Sequence, residues 1–437
     1  LTKWNSVIDR ADRLPAQVRA AFRAMTTGRP GAAQLGLPFD VQEGAVPEFE
    51  LWAQAEFGNY PALPAAPDPV AVDTLLDALL SSRSPVIVCG GGVVISRGEA
   101  SLSEFAETLN LPVATTISGQ GSLPETHPNC VGVVGSNGGI EATRKIIDNA
   151  DLVLFLSCRA GSVTTERWSS PNHKTRILHI DSDPMVISAN YPTEVGMVCD
   201  ARLGLNALNS ALRKRGEIST EFRGKERASV AKSEKAKYFA ELSGSAVSPI
   251  LPERLIADLQ KVLPEDAVIV ADPGTPCPYV SAYYELPKAG RYFISNRAHG
   301  ALGYSMSATI GAAFGRPNSK IVGIMGDGSF GFTAGELESV VRYNIPVTLL
   351  VCSNSVFGWI KAGQKAGFGE RYFSVDFSCT RHDAVAEAFG LQAFRVDDPA
   401  ELQSTLAKAI AVDGPTLVDV ICQPLNEARA PVSEWVA

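Results

Sequence analysis

Asp327 and Asn354 lie near the two ends of the stretch GDGSFGFTAGELESVVRYNIPVTLLVCSN, and each carries a side-chain oxygen. A carboxylate and a carboxamide are hard donors, suited to a magnesium ion that keeps phosphate oxygens among its ligands. A metal-bound diphosphate is the chemistry this pair could serve, provided the chain brings the two residues together. Lys320 to Met325, KIVGIM, reads as a buried strand that Gly326-Asp327-Gly328 then breaks. Glycines at 326 and 328 free the backbone to bend and to approach a ligand, and Ser329 adds a hydroxyl for a phosphate oxygen. Thr333, with Glu336 three residues on, predicts an N-cap and a helix to about Tyr343, which Asn344-Ile345-Pro346 stops. Val347 to Cys352, VTLLVC, is a second apolar strand. Strand, helix and strand of this length imply parallel neighbours joined by a right-handed crossover, so Asp327 and Asn354 are expected at one sheet edge, where such sheets bind ligands.

Composition sets wider bounds. The 437 residues, 45% of them hydrophobic, suffice for about three domains. A net charge of −8 argues against a nucleic-acid surface. No apolar stretch reaches the roughly 18 residues that span a bilayer, and LTKWNSVIDR lacks a signal-peptide core, so no membrane partner and a cytoplasmic location are expected. The eight cysteines form no CxxC pair, which points to core residues rather than zinc or disulfides.

Residues 46–72, including the proline-rich PALPAAPDP, and residues 213–247 read as linkers, the second as a connector or an exposed helix. Between them, 73–212 forms one α/β domain, with strands at Ser84–Cys89, Leu111–Thr115, Asp151–Ser157 and Arg176–Ile180 and a helix at Leu102–Leu109. Gly90-Gly91-Gly92 reads as a structural turn in preference to a nucleotide cradle. Residues 248–437 form a second α/β domain, opened by the strand AVIVA, Ala267–Ala271, and the loop Asp272-Pro273-Gly274-Thr275-Pro276 at the same edge as Asp327. The fold class is therefore α/β, with two doubly wound parallel-sheet domains.

The GDG unit resembles the signature of thiamine-diphosphate-dependent decarboxylases and carboligases, with Ser353 in place of the first residue of an asparagine pair. By that resemblance the central domain is Rossmann-like and the C-terminal domain binds the diphosphate. Asp327, Asn354 and the carbonyl of Val356 would ligate magnesium. Gly274, Thr275, Gly326, Gly328, Ser329, Phe357 and Gly358 would surround thiamine diphosphate. The segment NRAHGALGYSMSATIGAAFG, Asn296 to Gly315, resembles the family's LGxMGxxxPAAIGA entry, which makes the carbonyl of Gly300 a partner of the aminopyrimidine and Leu302 the wedge that bends the cofactor. His299 faces substrate or caps its loop. Phe357, Trp359, Ile360 and Gln364 would line a helix wall above the cofactor.

Within the family the chain most resembles the acetohydroxyacid-synthase-like branch. CRAGSVTTERW, Cys158 to Trp168, replaces the flavin-associated RFDDR, which counts against FAD and against acetolactate formation. Ile360 stands where aldehyde-releasing decarboxylases often carry an acid, and favours carboligation or lysis. Residues 1–45 resemble the last helix and strand of the pyrimidine-binding domain. The glutamate that activates the cofactor is expected outside this chain, on a pyrimidine-binding domain or subunit, because Leu1 is not an initiator Met and the chain reads as a shortened or split enzyme. Small carbonyl substrates and a homodimer, homotetramer or heteromer follow from the same resemblance. Two other classes stay open: a flavin-linked 2-oxo acid oxidase, and a noncatalytic nucleotide-binding or scaffolding subunit.

Overall fold

The computed structural model describes residues 1–216, 218, 220–296 and 299–433. Arg297 and Ala298, inside the NRAHGALGY segment, and residues 434–437 at the end of the C-terminal domain lie outside the described residues. No helix among the described residues is long and apolar enough to cross a membrane.

Strands β1 (Trp4–Val7) and β2 (Ala33–Gly36) pair in parallel around the helix Leu14–Thr26. Phe39, Phe49, Leu51 and Trp52 lie exposed in the same region. The helix Pro69–Leu80 begins inside the stretch read as a linker. Asp68 caps it by accepting from the Val70 N–H at 3.0 Å, and Val72, Leu75, Leu76 and Leu79 fasten it to the next core.

The central sheet contains β3 (Pro85–Cys89), β4 (Val113–Thr115), β5 (Cys130–Val133), β6 (Leu152–Leu156), β7 (Arg176–Asp181) and β8 (Val195–Val198). All pair in parallel in the order β5-β4-β3-β6-β7-β8. The chain winds outward in both directions from β3 and β6, the doubly wound arrangement with its switch point between those strands. Gly90 and Gly92 follow β3 at that point. A Cβ on Gly90 would stand 1.9 Å from the Ser157 carbonyl, and one on Gly92 would stand 2.4 Å from the Ser157 Cβ. The two loops pack so closely that the glycines serve loop contact, as the structural-turn reading expects. The second stretch read as a linker is mostly helix: Gly224–Ser243 buries Ala228 and Ala231 against Val86, Val153 and Phe155 of the central core.

The C-terminal sheet contains β9 (Val268–Ala271), β10 (Phe293–Ile294), β11 (Ile321–Gly326), β12 (Val347–Ser353), β13 (Gln392–Val396) and β14 (Thr416–Ile421). It too is wholly parallel, ordered β10-β9-β11-β12-β14-β13. Strands β9, β11 and β12 read as continuous apolar runs because both faces are covered. Ile269, Val322, Ile324 and Leu350 enter one core cluster, while Val270, Ile321, Met325 and Val351 enter another. Helix Tyr304–Gly315 lies on this sheet closely enough that a Cβ on Gly323 would meet the Thr309 hydroxyl at 2.4 Å; Ser305 and Ala313 are buried, whereas Ser307 and Gly311 are exposed.

Candidate active site

Strands β11 and β12 end in step, with Gly326 opposite Cys352. The chain then turns differently after each. Helix formation begins at Asp327, not after Thr333: a helix spans Asp327–Thr333, a 3-10 turn Ala334–Glu336, and a further helix Leu337–Arg342. Thr333 holds the N-cap position of the 3-10 turn without the expected side-chain cap bond, and the last helix ends at Tyr343 as expected. Gly326, in extended conformation, is the N-cap, and the Asp327 carboxylate accepts from the Gly328 N–H at 2.8 Å. Thr333 instead donates its hydroxyl to the Gly303 carbonyl at 3.4 Å.

After β12 the backbone folds back on Asp327. The N–H groups of Asn354 and Ser355 donate to its other oxygen at 2.8 and 2.6 Å. Ser355 adopts φ +59°, which turns both N–H groups toward one carboxylate. Asn354 accepts from the Val356 N–H at 3.3 Å. Burial pushes the Asp327 carboxyl above its ordinary range, and the N–H groups of Asn354, Ser355 and Gly328, followed by the charge of His382, pull it back. A buried acid held by backbone donors, beside an amide oxygen, is a donor set that fits a hard divalent ion, since the carboxylate oxygen that accepts only the Gly328 N–H retains a lone pair.

A cavity of about 530 Å³ opens over this pair. It gathers Gly274, Thr275, His299, Gly300, Leu302, Gly326, Gly328, Ser329, Val356, Phe357, Gly358, Trp359 and Ile360, so the residues singled out from the sequence for the cofactor or the chemistry, Gln364 excepted, line one space. A Cβ on Gly326 would meet nothing within 4 Å, which leaves the cavity open there. Gly328 differs from expectation. A Cβ there would stand 2.6 Å from the Phe357 ring, itself set edge-on to Phe377 at 4.4 Å, so this glycine makes room for an aromatic side chain. Leu302 reaches Gly274, where a Cβ would stand 3.3 Å from its methyl. Gln364 leaves the predicted wall: its amide pairs with the Phe373 backbone at 3.2 and 3.0 Å.

Asp272, taken from the sequence only as the start of a loop, organises the site. Fully buried, it accepts from the N–H groups of Gly303 and Ser305 at 3.1 Å each, from the Ser305 hydroxyl at 2.8 Å and from the Ser329 hydroxyl at 3.0 Å. One carboxylate thereby ties the end of β9 to helix Tyr304–Gly315 and to the helix begun by Asp327. Ser329 consequently spends its hydroxyl proton on Asp272 rather than on the cavity. An acid at the tip of a parallel strand, ahead of Pro-Gly, was the available signal.

The central domain closes the other side with Ser136, Asn137, Ser162 and Val163. The Ser136 N–H donates to the Val163 carbonyl at 2.8 Å, and the Gly138 N–H donates to Pro431 at 2.8 Å. The Gly290 N–H donates to the Gly121 carbonyl at 2.8 Å. The last two of these bonds link the two domains across more than a hundred residues of chain and leave no local trace in the sequence.

Residues 72–208 match the thiamine pyrophosphate enzyme central domain, and residues 272–420 match its C-terminal TPP binding domain. A probable acetolactate synthase large subunit of Methanocaldococcus jannaschii is 31% identical over 435 residues, covering 97% of this chain and 72% of that protein. The chain belongs to the thiamine pyrophosphate enzyme family. Within this family it is also similar to the chloroplastic acetolactate synthase 2 of Nicotiana tabacum, 28% identical over 96% of this chain and 64% of that protein. The acetolactate synthase large subunit of Haemophilus influenzae is 26% identical over 94% of this chain and 71% of its own length. The two parallel α/β domains and the acetohydroxyacid-synthase-like resemblance of the sequence agree with these matches.

Proposed function

We propose that this chain carries the diphosphate-binding half of a thiamine-diphosphate- and magnesium-dependent enzyme that makes or breaks carbon–carbon bonds on 2-oxo acid or 2-hydroxyacyl substrates. The observation that supports it most is the buried Asp327 carboxylate at the tip of β11, with the Asn354 amide folded back upon it from β12. Asp327, Asn354 and the Val356 carbonyl would hold the metal. Gly274, Thr275, Gly326, Ser329 through its backbone, Phe357 and Gly358 would surround the diphosphate. Thiamine diphosphate, when bound, supplies the electron sink that lets a carbonyl carbon act as a nucleophile.

The chain's own residues then position and shield. Leu302, against Gly274, would support the aminopyrimidine side together with the Gly300 carbonyl. Trp359 and Ile360 present apolar surface to the same cavity, an environment that excludes water and protects a carbanion from protonation. Asp327 is the only carboxylate among the described lining residues, so the acid that activates the pyrimidine is assigned to a pyrimidine-binding domain or subunit across the cavity. Acetolactate-type condensation of two 2-oxo acids is the first reaction to test, because relatives bear that name.

Incubation of this chain together with its pyrimidine-binding domain or subunit, pyruvate, magnesium and thiamine diphosphate should yield condensation product in excess over acetaldehyde. Predominant acetaldehyde would refute the shielded-carbanion reading. Thr115 and Thr116 at the end of β4, where a dinucleotide crevice would carry a ribose-binding acid, and the contact of Gly90 with Ser157 weigh against FAD in the central domain.

A further inference from the structure

Behind the Asp327–Asn354 pair lies a buried chain of polar side chains that the proposed function does not use. Arg395 on β13 stands opposite Asp419 on β14 and pairs with one of its carboxylate oxygens. The other oxygen of Asp419, a residue with no solvent exposure, receives the hydroxyl of Ser353 at the end of β12. The Ser353 hydroxyl has one proton and gives it to Asp419, so the His382 Nδ1 at 2.8 Å must donate to the Ser353 oxygen. His382 Nδ1 also lies 3.5 Å from Asp419. The imidazole meets the Phe330 ring edge-on at 5.3 Å, and Phe330 belongs to the helix that Asp327 begins. Asp383 extends the chain by pairing with Arg381 and lying 3.8 Å from Arg395.

We propose that Ser353 and His382 are positioning residues that hold the two halves of the metal clamp in register. Ser353 precedes Asn354, and its hydroxyl fixes the strand end from which the Asn354 and Ser355 N–H groups reach Asp327. His382 braces the opposite half by packing on Phe330. The fixed anchor is Asp419, fully buried on the middle one of three adjacent strands, paired with the part-exposed Arg395 of the edge strand β13. A serine suits this position because its short hydroxyl bridges a carboxylate and an imidazole at once. An asparagine amide, the residue the family signature leads one to expect, would bring a second donor against a site that already contains one.

The consequence for cofactor retention rests on the proposed function; the structural consequence does not. Hydrogen exchange on the full chain without cofactor should therefore be faster at the Asn354 and Ser355 amides in Ser353→Ala, by about tenfold, the scale of one hydrogen bond to a charged group. His382→Phe, which keeps the ring against Phe330 but removes the nitrogen, should do the same. His382→Asn, whose amide can replace Nδ1, should restore slow exchange. Amides within β9 and in the central sheet should not change.

With magnesium and thiamine diphosphate added, Ser353→Ala should require about tenfold more cofactor for half-saturation, and His382→Asn, which replaces the nitrogen but not the ring against Phe330, should require an amount between those of Ser353→Ala and the unaltered chain. Unchanged exchange at Asn354 and Ser355 in both disruptive variants would overturn the proposal. So would uniformly faster exchange across the whole C-terminal sheet, or loss of its fold in both, which would assign the network to general stability. If the unaltered chain bound no thiamine diphosphate, the proposed function would fail, while the exchange arm would still decide the positioning role.

Discussion

Removal of the Asp272 carboxylate should loosen three elements at once. In Asp272→Ala, two backbone N–H groups and two hydroxyls lose a charged acceptor inside a fully buried pocket. Each such loss is worth about 1–3 kcal/mol, so the four would give roughly 4–12 kcal/mol if nothing else changed. Two effects reduce that figure. Burial pushes the Asp272 carboxyl above its ordinary range, against the pull of its hydrogen-bond donors, so removing the acid returns part of a desolvation cost. Water can also enter the vacated space and satisfy some donors. A net loss of about 3–4 kcal/mol remains, or about two to three orders of magnitude in the opening equilibrium of this region. Asp272→Asn keeps one acceptor oxygen, and the Ser329 hydroxyl can turn to accept from the new amide, so about 1 kcal/mol is expected there. Native-state hydrogen exchange in β9, helix Tyr304–Gly315 and helix Asp327–Thr333 resolves these elements from the rest of the chain. Exchange in Asp272→Ala within about threefold of the unaltered protein, a difference of less than about 1 kcal/mol, would refute the pinning role.

Two glycines of one motif should behave oppositely. Gly328→Ala forces Phe357 against Phe377 and should cost about 1–3 kcal/mol by chemical denaturation, whereas Gly326→Ala meets open space and should leave stability near that of the unaltered chain while impairing thiamine diphosphate binding. Glu253 supplies a pH prediction. Burial among Tyr238, Tyr279 and Tyr283 raises its carboxyl from 4.5 to about 7, and one of its oxygens has no hydrogen-bond partner. Below pH 4.5 both folded and unfolded chains hold the proton; between 4.5 and about 7 only the folded chain keeps it, so stability falls as pH rises. Glu253→Gln should therefore add up to about 3 kcal/mol at pH 8 and almost nothing at pH 4, as read from urea midpoints.

The sequence made the strand-helix-strand unit legible because both strands are continuous apolar runs and the interruption between them carries its own chemistry. Asp327 and Asn354 consequently fall where the spacing requires. The residues of the AVIVA loop, the Gly300 segment and the Trp359 helix converge on them because all follow strands of one parallel sheet. The start of the helix at Asp327 was obscured by Gly328, a poor helix former that is present to admit the Phe357 ring. Asp272, Ser353 and the central-domain wall of Ser136, Asn137, Ser162 and Val163 were illegible for a different reason. Their partners lie on other strands or in another domain, and no local periodicity records a contact of that range. Ser353 showed only as a departure from an asparagine pair, and its reason lies in His382 and Asp419, 29 and 66 residues away.

The central claim is that the Asp327 charge holds a metal-bound diphosphate. Calorimetric titration of thiamine diphosphate into the chain, with magnesium and then with a chelator, tests it most directly, alongside Asp327→Asn, which keeps acceptor capacity for Asn354 and Ser355 but loses the charge. Binding should require magnesium and weaken at least about thirtyfold in the variant, the scale of a lost charge-assisted contact. Equal affinity of the two proteins, or binding indifferent to the chelator, would contradict it.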